Sequence, residues 1–367
     1  MRCFVQGGVA VAEAAFRAGC RFFAGYPISP ANDIATRMAE LLEDEGTFIQ
    51  MEDEVASICA ALGASWSGAK AMTATSGPGL SLMQEAVGYA YFTETPVVIV
   101  DVQRAGPATG QATRVGQGDV MQLRYGSHGD VYPIALVPWS VQELYDLTVR
   151  AFNLAERFRV PVYVATDEAV ASTFEVVELH RNFDVLTRVR KRGAPPFGSG
   201  LPDGVPPMPA FGDGEQLLVT GSTHDEWGRR RTRDPEAHEK LVTRLMRKTM
   251  DHERELAETE ACYLEDADVA FFAYGTSARS AFAAVRMLRA RGRRVGMLRP
   301  RTLWPFPVER VRALGEQVAR IVVPECNTGM IADIVRGLSA APVHAFTQTN
   351  GDPIAPEALI ELVEGLL

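Results

Sequence analysis

The sequence lacks the features that several protein classes require. Its five cysteines form no CxxC pair and no recurring spacing, so neither a zinc site nor a self-contained iron–sulfur site is predicted. A net charge of −9 argues against a nucleic-acid surface, because phosphate binding depends on lysine and arginine. No charged and then apolar leader opens the chain, and no apolar run reaches membrane-spanning length. We therefore expect a cytoplasmic protein that binds neither nucleic acid nor a membrane.

The chain does contain alternating strand and helix patterns. Hydrophobic residues make up 47% of its 367 residues, which is enough for full cores, and the length favours two domains. Short β-branched runs such as Pro96–Asp101 are typical of parallel strands buried on both faces. We expect an α/β fold of two parallel-sheet, three-layer units, with residues 1–178 in the first unit, a connector over 179–262, and residues 263–367 in the second unit.

The predicted connector is rich in proline and glycine between Gly193 and Gly214. It includes Phe211–Gly214, reading FGDG, which resembles the start of the magnesium–diphosphate site of thiamine enzymes. That site needs a later asparagine, and none occurs between Asn182 and Asn327. We therefore predict a turn at FGDG and assign no metal ligand to this chain. The charged stretch His224–Glu260 is predicted to be a solvated helix.

The stretch Phe48–Ala64 is the most informative part of the sequence. A short β-type run, Thr47–Gln50, leads into Glu52, Asp53 and Glu54, after which small and apolar residues recur at helical spacing. Acids are common at a helix start because the helix dipole and the free N–H groups favour them, and capping explains two of the three. Glu54 is closest to the apolar helix surface and is the candidate for proton transfer.

Other candidates follow the predicted strands. Open α/β sheets bind ligands at the carboxyl ends of their strands. Three segments occupy such ends: GYPISP at Gly25–Pro30, TSGPG at Thr75–Gly79, and the long loop Gly106–Gly118. Arg104, at the end of the Pro96–Asp101 strand, suits recognition of a carboxylate. From the residues alone, each segment is also compatible with an ordinary turn, and Arg104 with a solvated side chain.

Taken together, the motifs resemble those of the α subunit of the 2-oxoacid:ferredoxin oxidoreductases, most closely the 2-oxoglutarate (2-ketoglutarate) branch. The motifs that carry the resemblance occur in order over nearly the whole chain: GYPISP, EDEVASICAALGAS, ATSGPGLSLM, QRAGPATGQAT, GQGDVMQ, TGSTHDEWG, YGTSARSA and PECNTG. The resemblance implies a thiamine diphosphate pyrimidine-binding domain followed by a transketolase C-terminal-like domain. It also implies a separate β subunit that holds Mg²⁺, the diphosphate and a [4Fe-4S] cluster.

The resemblance also implies roles for individual residues. The family's catalytic glutamate precedes a helix glycine by nine residues, and counting back from Gly63 selects Glu54 over Glu52. Its carboxyl would hydrogen-bond N1′ of the aminopyrimidine ring and promote loss of the C2 proton. Ser29 and Arg104 are the other implied catalytic residues, and with Thr109 they would bind the substrate. The residues expected to contact the cofactor are Glu54, Tyr26, Pro27, Ile28, Ser29, Gly77 and Pro78.

The implied reaction is oxidative decarboxylation of a 2-oxoacid with CoA to an acyl-CoA and CO₂, or the reverse carboxylation, with electrons passing to ferredoxin in an (αβ)2 assembly. Serine replaces the usual threonine at Ser29, and Gln111 and Ala112 depart from the segment common in the 2-oxoglutarate branch. Branched-chain 2-oxoacids and pyruvate therefore stay open as substrates. A ferredoxin-independent thiamine enzyme and a noncatalytic scaffold are rival hypotheses, whereas a dinucleotide-binding enzyme is disfavoured because no GxGxxG follows the first strand.

Overall fold

A computed structural model describes residues 2–179, 182–198 and 203–367. Parts of the predicted connector, residues 180–181 and 199–202, lie outside the described residues. The strands are β1 (Arg2–Gln6), β2 (Cys20–Gly25), β3 (Thr47–Gln50), β4 (Lys70–Thr75), β5 (Val97–Ala105), β6 (Gln111–Val115), β7 (Ile134–Leu136), β8 (Pro161–Asp167), β9 (Phe174–Glu178), β10 (Thr259–Cys262), β11 (Val269–Phe272), β12 (Val295–Pro300), β13 (Thr302–Trp304), β14 (Arg320–Glu325) and β15 (Val343–Thr347).

The helices alternate with these strands. They are α1 (Gly7–Arg17), α2 (Asn32–Leu42), α3 (Glu54–Trp66), α4 (Gly77–Phe92), α5 (Val120–Tyr125), α6 (Val141–Phe158), α7 (Glu168–Ser172), α8 (Pro235–Met250), α9 (Glu253–Leu256), α10 (Gly275–Ala290), α11 (Val308–Gln317), α12 (Met330–Leu338) and α13 (Pro356–Leu366). None of the helices in the described ranges combines the length and apolar character needed to cross a bilayer.

The first and larger sheet has the strand order β13-β7-β8-β5-β4-β2-β3, with β6 also paired to β5. The neighbours from β7 to β3 are parallel, whereas β13 on β7 and β6 on β5 are antiparallel. Central strand β5 is buried on both faces from Val97 to Arg104, as expected for a parallel sheet covered on both sides. The carboxyl ends of β2, β4 and β5 therefore lie at one edge of this sheet.

The second sheet has the order β10-β12-β11-β14-β15, in which β10 is antiparallel and the other pairings are parallel. The α/β fold class predicted from the sequence is confirmed, with the difference that both sheets carry antiparallel strands. The division at residues 178 and 263 remains a proposal. Strand β10 lies before the proposed boundary at 263 yet joins the second sheet, and β13 lies after it yet joins the first.

One apolar cluster joins the two units. It contains Val98 and Val164 of the first sheet together with Phe272 and Val323 of the second, all without solvent exposure. Removing such side chains from water is the main driving force for packing the units together. The relative placement of the two sheets is therefore fixed by a shared core, which also positions the loops that meet between them.

Several local predictions were wrong. Strands β1 and β9 form a separate antiparallel pair that was not predicted. The loop Gly106–Gly118 contains β6, and the charged stretch His224–Glu260 is helical only in α8 and α9. That stretch is also not simply solvated, because Lys248 is 3% exposed and donates a 2.9 Å hydrogen bond to the buried Glu94. By contrast, FGDG forms the predicted turn.

Candidate active site

Glu54 is the first residue of α3 and is 5% exposed, although its neighbour Val55 is 43% exposed. The helix begins there because Asp53 is its N-cap and accepts a 2.7 Å hydrogen bond from the backbone N–H of Ala56. Asp53 thus performs the capping role, as predicted for part of the acid cluster, and Glu54 is left for another role. Within the described ranges, the Glu54 carboxylate has no hydrogen-bond or ion-pair partner.

The Glu54 side chain lies against the first turn of α4. A Cβ atom added at Gly79 would lie 2.5 Å from Glu54 Oε1 and would also clash with Thr75 Oγ1. The glycine therefore lets the carboxylate approach the α4 backbone. The sequence predicted a loop over Thr75–Gly79, but α4 begins at Gly77 with Pro78 at its start, where the missing N–H of proline is tolerated.

The GYPISP segment follows β2 at the same edge of the sheet. Tyr26 and Pro27 are exposed, whereas Ile28 and Ser29 are partly buried and Ile28 packs against the main core. The Ser29 hydroxyl accepts a 3.4 Å hydrogen bond from Asn32 Nδ2, and the peptide bond to Pro30 is cis. An exposed aromatic ring and a partly buried hydroxyl at a strand end are available for contact with a bound group.

Arg104 is held by this segment. Its Nη1 donates a 2.7 Å hydrogen bond to the carbonyl oxygen of Ser29, and the side chain is 8% exposed. Its Nε is buried and has no hydrogen-bond partner in the described part of the chain. A guanidinium that is oriented by a backbone carbonyl, with a donor left over, suits an anionic ligand.

Arg104, Gly77 and Pro78 line one cavity of about 660 Å³ between the two units. Its wall is completed by residues from α4, the segment after β5, and the second unit: Ser81, Ala105, Gly106, Pro107, Ala108, Val115, Gly116, Gly118, Asp119, Gln122, Cys326, Asn327, Thr328, Met330 and Thr349. Clefts of this volume at the junction of domains are typical small-molecule sites. The structure thus brings together three of the predicted residues, with Glu54 on the other side of the α4 turn.

Thr109 is not among the residues that line this cavity. It is exposed in the turn between β5 and β6. The role of Thr109 in substrate binding therefore stays a prediction. The glycine-rich composition suggested an open loop, whereas β6 folds back onto β5 and leaves Thr109 in the exposed turn, next to the cavity-lining Ala108.

Two acids near the cavity received no role from the sequence. Asp119 lines it and Asp101, on β5, is fully buried with no hydrogen-bond partner for either carboxylate oxygen within the described ranges. Burial, with the nearby Asp119, raises the pKa of Asp101 well above its usual range. Burial raises the pKa of Asp119 to about 6, although the Arg104 guanidinium opposes the increase. The motif GQGDVMQ contained Asp119, but nothing in its spacing marked the acid as buried.

Polar contacts close the cavity between the units. The Gln117 side chain donates to the carbonyl of Tyr274 at 3.1 Å and accepts from Ser277 Oγ at 2.7 Å and from the backbone N–H of Cys326 at 3.0 Å. Asn327 Nδ2 donates to the Gln117 carbonyl at 2.7 Å. Since these groups are buried and satisfied, they fix the segment after β14 against the segment after β6.

Two known protein families match different parts of this chain. Residues 13–244 match the family described as pyruvate flavodoxin/ferredoxin oxidoreductase, thiamine diphosphate-binding. Residues 267–359 match pyruvate:ferredoxin oxidoreductase core domain II. The first match contains Glu54, Arg104 and Asp119, and the second contains Cys326 and Asn327. The cavity therefore lies between the two matched regions.

Similar proteins extend these matches over the chain. It is 48% identical to the 2-oxoglutarate synthase subunit KorA of Methanothermobacter thermautotrophicus, over 98% of this chain and 97% of that protein. It is also similar to the solved 2-oxoglutarate:ferredoxin oxidoreductase from Magnetococcus marinus with 2-oxoglutarate, coenzyme A and succinyl-CoA bound, at 33% identity and a TM-score of 0.94. That match covers 99% of this chain but 65% of the Magnetococcus chain. A split-gene transketolase, in an inactive β4 tetramer, matches 98% of this chain and 95% of its own at 14% identity and a TM-score of 0.56, which shows a shared fold alone.

Proposed function

Because this chain belongs to the family of α subunits of the 2-oxoacid:ferredoxin oxidoreductases, we propose that it supplies the aminopyrimidine half of a shared thiamine diphosphate site. The complete enzyme then oxidises 2-oxoglutarate with CoA to succinyl-CoA and CO₂, or catalyses the reverse carboxylation. The 2-oxoglutarate assignment is supported by the similarity to the Methanothermobacter subunit and to the Magnetococcus enzyme.

The observation that carries the proposal is the Glu54 side chain, which is 5% exposed at the start of α3 and makes no hydrogen bond or ion pair within the described part of the chain. Its carboxylate therefore has unused acceptors, and a ligand that hydrogen-bonds it is favoured. The glycine at position 79 keeps the space beside Glu54 Oε1 free of a side chain. These residues fit a flat ring that presents a nitrogen to the acid, which the aminopyrimidine of thiamine diphosphate does through N1′.

When bound, thiamine diphosphate supplies a carbon nucleophile for the keto group of the substrate. Glu54 holds a proton at N1′, and the low exposure of its side chain keeps competing water away from that proton. Tyr26, Pro27 and Ile28 are proposed to contact the ring from the β2 end. Gly77 and Pro78, in the first turn of α4, line the cavity and would also contact the ring.

Arg104 binds the carboxylate of the 2-oxoacid in the cavity. Its Nη1 is already oriented by the Ser29 carbonyl, so the guanidinium is held in place to meet an anion. Ser29 therefore positions Arg104 through its backbone, and its hydroxyl is proposed to contact the cofactor or the substrate. Thr109 is left outside this proposal, since it does not line the cavity.

The remaining parts of the enzyme are proposed to lie on a partner β subunit. Within the described residues, no group of three or more histidine, cysteine or acidic side chains is arranged to hold a metal. By its family membership, the chain is proposed to work with a β subunit that holds the diphosphate-bound Mg²⁺ and the [4Fe-4S] cluster, with ferredoxin as electron acceptor and (αβ)2 as the assembly.

Glu54→Gln in the complex purified with its partner subunit tests this proposal. Loss of the proton-holding carboxyl is expected to slow C2 proton exchange of the bound cofactor and CoA-dependent viologen reduction by about 10²-fold or more. Glu52→Gln is the matched control, because Glu52 is exposed two residues earlier in the same acid cluster. Exchange at the wild-type rate in Glu54→Gln would remove Glu54 from the proposed role.

A further inference from the structure

The charged side chains that line the cavity, within the described part of the chain, are Arg104 and Asp119. An acid in a pocket that is proposed to bind an anion opposes binding when it is ionised, because like charges repel most strongly at low dielectric. Ionised Asp119 would therefore repel the carboxylate of the proposed substrate, and the protonation state of Asp119 determines how strong this repulsion is.

Asp119 is fixed in the cavity wall by close contacts. Its backbone N–H donates a 3.1 Å hydrogen bond to Gln103 Oε1 on β5. Its Oδ1 and Oδ2 lie 2.7 and 2.8 Å from where a Cβ on Gly77 would be, so the carboxylate rests on the start of α4. Oδ2 is buried and has no hydrogen-bond partner among the described residues. The carboxylate thus has an unused acceptor or, when protonated, an unused donor.

The other ionisable groups around Asp119 limit how its charge can be balanced. Arg104 and Asp101 face it from β5, and Tyr163 on β8 lies near Asp101. The first turn of α4 contributes no acid. Burial raises the pKa of Asp101 well above its usual range and also raises the pKa of Tyr163, so burial favours the neutral form of both groups. Asp119, with a pKa of about 6, is then the acid of this group that changes charge near neutral pH.

We propose that binding of a 2-oxoacid is coupled to uptake of one proton by Asp119, which then donates a hydrogen bond to the bound anion. This inference rests on the proposed function. The physical reason is that a substrate carboxylate on Arg104 neutralises the cation that favours ionised Asp119 and adds a negative charge beside it. The proton comes from solvent, and it returns to solvent when the anion leaves and Arg104 again faces Asp119.

The pH dependence of KM follows from this coupling. Protonated Asp119 binds the anion better, so affinity is greatest below its pKa of about 6 in the free enzyme. Above that pH, KM for 2-oxoglutarate is expected to rise by up to about tenfold per pH unit until the higher pKa of the complex is reached. A second carboxylate on the substrate strengthens the effect, since more negative charge faces the acid.

The test is the KM of the assembled enzyme for 2-oxoglutarate, measured by CoA-dependent viologen reduction between pH 6 and pH 8. The wild type is expected to show the rise in KM, and Asp119→Asn a flat profile over that range, because the amide carries no charge at any of these pH values. Asp119→Ala is a second neutral variant that keeps the test decisive if the amide disturbs assembly. Asp251→Asn is the control, since Asp251 is an exposed residue paired with Arg247 at 3.2 Å and is expected to keep the wild-type profile.

The outcomes separate this inference from the proposed function. A wild-type enzyme that turns over 2-oxoglutarate, with the same pH dependence of KM in the neutral Asp119 variants, would overturn the inference alone. A wild-type complex that turns over no 2-oxoacid would overturn both. A flat profile in the Asp119 variants beside a rising profile in the wild type and in Asp251→Asn would support proton-coupled binding.

Discussion

Replacing Gly79 by alanine tests the geometry around Glu54 without changing any ionisable group. Gly79 lies in the first turn of α4 with an ordinary helical backbone, so alanine would favour the helix by about 1 kcal/mol if there were space for it. The added Cβ would instead lie 2.5 Å from Glu54 Oε1 and would clash with Thr75 Oγ1. Overpacking of this kind typically costs about 1–3 kcal/mol, so we expect a net loss of stability of up to about 2 kcal/mol.

The larger effect is expected on catalysis. The Glu54 side chain can rotate more easily than the α4 backbone can move, so the clash is expected to be relieved by displacing the carboxylate. A displacement of about 1 Å at a reacting group can lower a rate by about 10²-fold. C2 proton exchange of bound thiamine diphosphate, followed by NMR in the assembled enzyme, measures this step separately from electron transfer.

Gly63→Ala is the matched control for this experiment. Gly63 lies in the interior of α3, the helix that begins with Glu54, and a Cβ there would meet no atom within 4 Å. Alanine at position 63 is expected to raise stability by up to about 1 kcal/mol and to leave the exchange rate unchanged. If Gly79→Ala matched Gly63→Ala in both stability and exchange rate, the close packing between α4 and Glu54 would be refuted.

Two further predictions concern charged side chains. Arg104→Ala is expected to raise KM for 2-oxoglutarate by an amount that corresponds to the loss of a charge-assisted pair, about 2–4 kcal/mol of binding free energy. Arg114→Ala is the control, because it removes an exposed pair with Asp352 and should change KM little. Equal KM values for the two variants would remove Arg104 from the substrate site. Glu94→Gln leaves Arg244 and Lys248 with a weaker buried partner and is expected to cost about 3–5 kcal/mol of unfolding free energy, measured by denaturant titration. Burial alone would raise the pKa of Glu94, but the charges of Lys248 and Arg244 hold this pKa far below its usual range. The ionised Glu94 carboxylate therefore contributes its full stabilisation above the pKa of about 4 that it has in the unfolded chain, and this stabilisation is lost as the pH falls towards its pKa in the folded protein. The free energies of unfolding of the wild type and of Glu94→Gln should therefore converge in strong acid. A difference that stays constant from neutral pH into strong acid would contradict the stabilising role of ionised Glu94.

Much of the fold could be predicted because its signals are local. Helix α2 at Asn32–Leu42 and helix α6 at Val141–Phe158 each have their apolar residues at helical spacing, which a sequence pattern records directly. The strands β5 and β8 contain short β-branched runs, which are typical of buried parallel strands in an α/β fold. These elements depend on residues that are close in sequence, and periodicity records such contacts directly.

The elements that were missed depend on contacts between distant residues. Strand β1 pairs with β9, and Arg2 lies opposite Glu178, so neither strand has a partner nearby in the chain. Strand β13 joins the first sheet through Thr302 and Leu136. Short strands of this kind are stabilised by the pairing itself, and the sequence around each gives no sign of where its partner is.

Buried charges were missed for a related reason. A run of charged residues usually indicates a solvated surface, and the predicted helix within His224–Glu260 followed that rule. Lys248 in fact reaches the carboxylate of Glu94 and the carbonyl of Arg159, and all three residues are buried. Whether a lysine is solvated or buried is decided by a partner more than eighty residues away, which local charge patterning does not contain.

In the candidate site, too, some features follow from the local sequence and others depend on distant residues, and both kinds occur in the first turn of α4. The sequence TSGPG was weak evidence for a ligand site, because ordinary turns use the same residues. In the structure, Gly77 and Gly79 have different roles: the first allows the Asp119 carboxylate to rest on α4, and the second allows the Glu54 carboxylate to do so. Since Pro78 and Gly77 also line the cavity, this turn separates the acid proposed to hold the cofactor proton from the acid proposed to take up a proton with the substrate. A single turn with glycine at two of its positions can therefore accommodate two acids on different sides, and the close approach of each carboxylate is the physical reason to expect glycine at both positions.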